Sequence, residues 1–64
     1  MNEGFDRLQA LLLAMQAGDE VRASEASDMS GLSEDLCRSV LERLERAGLM
    51  AHHYEDRFVR KRMD

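Results

Sequence analysis

Between Ser33 and Gly48 the chain carries the signals of one amphipathic helix from start to stop. Ser33 is a strong N-cap residue, because its hydroxyl accepts from a backbone N–H left over in the first turn. Glu34 and Asp35 follow in that turn, where negative charge complements the helix dipole. Cys37, Val40, Leu41 and Leu44 recur at three- and four-residue intervals and so share one face. Ala47-Gly48 closes the run. Glu34–Arg38 and Glu42–Arg46 are each four residues apart, the spacing at which opposite charges meet on a helix surface. The pattern predicts a helix over about 34–47 with one apolar side that the rest of the chain must cover.

Little chain is left to cover it. The sequence has 64 residues, and a domain of that size buries a smaller share of its surface than a large one and is marginally stable. One domain over 1–64 is expected, with no disulfide to staple it, since Cys37 is the single cysteine. That usage fits a reducing compartment, so a cytoplasmic location is expected. The longest apolar run, Ala10 to Met15, is too short to span a bilayer. Glu3 and Asp6 do not make the basic start of a signal peptide, so no membrane partner is expected. A glycine-rich phosphate loop, a nucleophile elbow and a spaced His/Asp set are all missing, and no enzyme activity is expected. His52 and His53 are adjacent and point to opposite faces of a strand. With Cys37 they make no metal spacing, so neither metal nor cofactor is expected.

Upstream, Phe5, Leu8, Leu12 and Met15 recur at helical spacing, with Leu11 on the same side, and Gly18 suits a left-handed cap. A first helix over about 5–17 follows. Ala23, Ala26 and Met29 predict a second, short helix over about 23–30, with Val21 placed to anchor a short strand before it. Downstream, Met50–Tyr54 and Arg57–Arg62 read as two antiparallel strands around Glu55-Asp56, a wing over about 49–62. The fold class expected is therefore mainly α with a small β-wing. One core is expected from Leu8, Leu12, Met15, Ala26, Leu32, Cys37, Val40, Leu41, Leu44 and Leu49.

Helix, helix, tight turn, helix, hairpin is the order of a winged helix-turn-helix domain, and particular residues carry the resemblance. Ala26, Ser30-Gly31-Leu32, Cys37 and Val40 resemble the buried and turn positions of a helix-turn-helix, with small Ser27 where the two helices cross. The stretch from Val40 to Met50 resembles the end of the recognition helix and the approach to the wing in many bacterial and archaeal regulators. The resemblance covers about residues 8–62. It implies sequence-specific binding of double-stranded DNA, with the third helix in the major groove and the wing on phosphate. By position it implies roles for Ser33, Arg38, Ser39 and Arg43 on the helix and for Arg57, Arg60 and Lys61 on the wing. Arginine suits guanine edges, and serine suits phosphate or base.

Charge weighs on that expectation. The chain carries a net −4. Residues 1–36 hold two basic and eight acidic residues, whereas residues 37–64 hold seven basic and five acidic. DNA affinity must therefore come from the basic residues of the second half, because phosphate neutralisation supplies most nonspecific binding. Glu34 and Asp35 stand where DNA-binding members of the family commonly place neutral or basic residues. The alternative expectation is a winged-helix module that docks another protein and binds no DNA. Leu13 falls outside the core stripe, beside Ala10, Ala14 and Ala17, and suggests a homodimer contact on the outer face of the first helix.

Overall fold

The computed structural model describes residues 3–54 and 57–62. The expected turn at Glu55-Asp56 lies outside the described residues. The elements run α1 (Glu3–Ala14), β1 (Glu20–Arg22), α2 (Ala23–Ser30), α3 (Glu34–Arg46), β2 (Met50–His53) and β3 (Arg57–Arg60). Helices α2 and α3 pack against a three-stranded antiparallel sheet of order β1-β3-β2, and α1 packs on α2. The architecture is a helix-rich fold with a small β-wing, and its topology is compatible with a winged helix.

The sheet has one strand more than the expected two-stranded wing. Val21 lies opposite Phe58, and Glu20 and Arg22 flank it opposite Val59 and Arg57. β1 thus covers the edge of β3 that a lone hairpin would leave open. The same pairing shortens α1, which ends at Ala14 and not near Ala17. Beyond Ala14 the chain turns: Asp19 Oδ2 accepts from the Gln16 backbone N–H at 2.9 Å. Gly18 N–H then donates to the Arg60 carbonyl at 2.9 Å, and Arg60 N–H donates to the Asp19 carbonyl. Gly18 does adopt the left-handed conformation, φ +94°, but in this turn rather than at the helix end.

Leu8, Ala26, Cys37 and Leu41 are fully buried, as the apolar spacing predicts. Leu12, Met15, Leu32, Val40 and Leu44 are half-buried against them, and Leu49 is half-buried as well. The remaining buried apolar side chains, Val21, Ala23, Met50 and Phe58, were not among the expected core residues. Three of them, Val21, Met50 and Phe58, lie on the sheet, whose inward face thus supplies three of the eight buried apolar side chains.

The turn between α2 and α3 is tied by hydroxyls. Ser27 Oγ donates to the Leu32 carbonyl at 2.6 Å. Buried Ser30 Oγ donates to the Ala26 carbonyl at 2.6 Å and accepts from Leu32 N–H at 3.1 Å. Gly31 takes φ +82° and donates to the Ser27 carbonyl. A Cβ added there would meet nothing within 4 Å, so Gly31→Ala carries a backbone penalty and no clash. It is expected to cost about 1 kcal/mol, readable in urea unfolding. A loss several times larger would mean that packing, not φ, selects glycine.

Candidate nucleic-acid interface

The side of α3 turned away from the core carries the residues expected to meet DNA, but they are not equally available. Ser33 caps the helix: its Oγ accepts from Leu36 N–H at 3.2 Å. Arg38 is engaged from two sides. Its guanidinium lies 3.5 Å from Glu34 Oε1 and 3.6 Å from Asp35 Oδ1. Both carboxylates are well exposed, so each contact is weak on its own. Together they still hold the Arg38 guanidinium beside the acidic first turn of the helix.

Ser39 and Arg43 are exposed and lie four residues apart. Arg46 continues the same stripe three residues on. The expected Glu42–Arg46 pair is not made: among the described residues neither Arg43 nor Arg46 has an ion-pair partner. The outward face of α3 is thus divided lengthwise. Glu34, Glu42 and Glu45 follow one edge, and Ser39, Arg43 and Arg46 follow the other. Arg46 was legible in the i, i+4, i+7 spacing from Ser39, but its spacing to Glu42 masked it.

The wing arginines separate. Phe58 is buried beneath the helices, and Arg60, two residues on, shares its side of the strand. Arg60 accordingly lines an apolar groove with Leu44 and Leu49. Arg57 faces the other side of the sheet, and Lys61, which extends the pairing of β3 through a bond to the Leu49 carbonyl, follows Arg57 and Val59 in alternation. The structure therefore brings Arg57 and Lys61 to one face and puts Arg60 on the other.

Arg57 gains a neighbour that the sequence did not suggest. Arg22 is its direct cross-strand partner, and like charges so placed repel. The two arginines line a polar depression of about 400 Å³ with Glu20, Ser24 and Glu25. Glu25 is occupied by the Arg22 backbone N–H, which donates to its Oε1 at 3.1 Å. Among the described residues neither arginine makes an ion pair. The pair lies at the end of the sheet where β1 passes into α2 and where β3 begins.

Cys37 is fully buried, with its Sγ 3.7 Å from Ser30 Oγ. Stacked on Phe58 at a centroid distance of 4.6 Å, His52 lies on the inward side of the hairpin, so the two histidines do face opposite ways. Among the described residues no three His, Cys, Asp or Glu side chains are grouped to hold a metal ion, and no helix is long and apolar enough to cross a membrane. Comparison with known protein families, with curated proteins and with solved structures finds no match to this chain.

Proposed function

We propose that this chain is a winged helix-turn-helix module that binds double-stranded DNA sequence-specifically and regulates transcription. The observation that carries the reading is the exposed Ser39, Arg43 and Arg46 stripe on the second helix of the helix-turn-helix, whose arginines have no ion-pair partner among the described residues. In this reading Arg43 and Arg46 meet base edges or phosphates in the major groove. Arg22, Arg57 and Lys61 supply backbone contacts, where phosphate relieves the repulsion between the first two. Arg38 contributes less than its position suggests, because Glu34 and Asp35 already neutralise it. A mobility-shift assay with mixed genomic fragments at low salt tests the reading. Retardation that weakens steeply with salt is expected. If no duplex is retarded there, where electrostatic attraction is strongest, the reading fails.

One observation favours the docking module instead: the acidic start of α3 stays exposed, with the Asp35 side chain at 96%. Replacing Glu34 by Gln and Asp35 by Asn separates the two readings. For a DNA-binding module, losing two carboxylates beside phosphate and releasing Arg38 should tighten nonspecific DNA binding by about 1 kcal/mol, roughly fivefold. For a docking module the same exchange leaves DNA binding undetectable.

A further inference from the structure

The described helices leave one apolar surface without cover. Phe5, Leu12 and Leu13 of α1 face Val40, Leu44 and Leu49 across an open groove of about 470 Å³. Leu13 is 73% exposed and Phe5 43%, although α1 already buries Leu8 in the core. The apolar arc of α1 is therefore wider than one core requires. An exposed apolar surface of this kind marks a site of association.

We propose that this groove seats α1 of a second copy of the chain, in an antiparallel two-fold pair whose axis passes beside Gln9. Two features select that occupant. The first is the symmetry of the stripe. Phe5, Gln9 and Leu13 are spaced i, i+4, i+8 and lie in one row along α1. Phe5 stands four residues before Gln9 and Leu13 four residues after it. Reversing the helix about Gln9 sets Phe5 of each copy against Leu13 of the other, the self-complementarity that a two-fold contact demands.

The second feature is charge. The first turn of α1 carries Glu3 and Asp6, and its last turn carries no basic residue. Just past the C-terminal end of α1, Arg60 bonds the backbone of Gly18 and Asp19 and its side chain lines the groove, while the Asp19 carboxylate there is already held by the Gln16 N–H. An antiparallel pair brings the acidic start of each α1 to Arg60 of the other copy, the cation that lines the groove. A parallel pair would set acid against acid. The Glu3–Arg7 contact at 3.7 Å does not compete, since both side chains are more than 60% exposed and such pairs are weak. The contact lies on Phe5, Gln9 and Leu13 rather than on the expected Ala10, Leu13, Ala14, Ala17 stripe, because Ala17 falls outside α1.

Sedimentation equilibrium of the full chain tests this from micromolar to near-millimolar concentration. The mass is expected to rise toward twice that of the chain, less so at high salt. Leu13→Glu should raise the dissociation constant by roughly tenfold or more, because it buries an unpaired charge in the contact. Its circular dichroism should not change, as Leu13 is exposed within one copy. Gln9→Cys should form a disulfide-linked dimer on mild oxidation, since the two positions face each other across the axis. Ser39→Cys, on α3 away from the groove, should associate as the wild type does but form no disulfide-linked dimer under the same oxidation. A monomer at every concentration overturns the proposal. So does a dimer that survives Leu13→Glu and is not trapped by Gln9→Cys, which places the contact elsewhere.

Discussion

Phe58→Ala is expected to leave the chain largely unfolded at room temperature. Phe58 is fully buried, on the central strand, paired with both β1 and β2, and its ring stacks on His52. Truncating a buried phenylalanine costs about 3–5 kcal/mol, whereas a domain of this length holds only roughly 3–10 kcal/mol in all. Leu41→Ala, at the buried centre of α3, should cost about 2–5 kcal/mol by the same cavity mechanism. Leu13→Ala should stay within about 0.5 kcal/mol at concentrations where the chain is monomeric. Thermal unfolding followed by circular dichroism orders the three. A cooperative transition for Phe58→Ala near the wild-type midpoint would mean that the sheet is not part of the core.

Alanine at Arg43 is expected to weaken binding to the preferred DNA sequence by about 1–3 kcal/mol and to relax discrimination at the base it meets. Arg46→Ala should behave similarly, and the double substitution should leave no specific complex at moderate salt. Arg38→Ala should cost less than either, because that guanidinium is shared between Glu34 and Asp35. The wing gives a sharper contrast. Arg57→Ala should flatten the log–log salt dependence by roughly one unit, as loss of one phosphate contact does. Arg60→Ala should leave that slope unchanged, since its side chain lines the groove beside Leu44 and Leu49. Fluorescence anisotropy across a salt series measures all of them. A change of slope at Arg60 with none at Arg57 would reverse the assignment of the two sheet faces.

Much of this molecule is local, and the local part was legible in the residues. α3 has its N-cap, its dipole-matched first turn and its apolar spacing within one short stretch, and it runs Glu34–Arg46 against an expected 34–47. α2 spans Ala23–Ser30, as its small apolar positions indicate. Gly31, which takes positive φ in the turn between α2 and α3, was visible for the same reason. The end of α1 was not. Ala14 to Ala17 are good helix formers, and what stops the helix is a set of bonds from Gly18 and Asp19 to Arg60, more than forty residues away.

The candidate site divides in the same way. That Ser33 to Arg46 carries the polar outward face of a helix follows from the sequence alone, because helical periodicity sets which residues turn away from the apolar stripe. Which arginines on that face remain available does not follow. The Glu34–Arg38 and Glu42–Arg46 spacings are equivalent on paper, yet only the first pair forms among the described residues. Strand alternation by itself could place Arg57 and Arg60 on opposite faces. Only the pairing of β3 with β1 decided that Phe58 faces the helices, that Arg60 therefore lines the groove, and that Arg57 meets Arg22. Amino-acid order determines what neighbours along the chain do to one another. Contacts between residues far apart in sequence depend on how the elements pack, and there the tertiary structure assigned the arginines and left the groove beside α1 open.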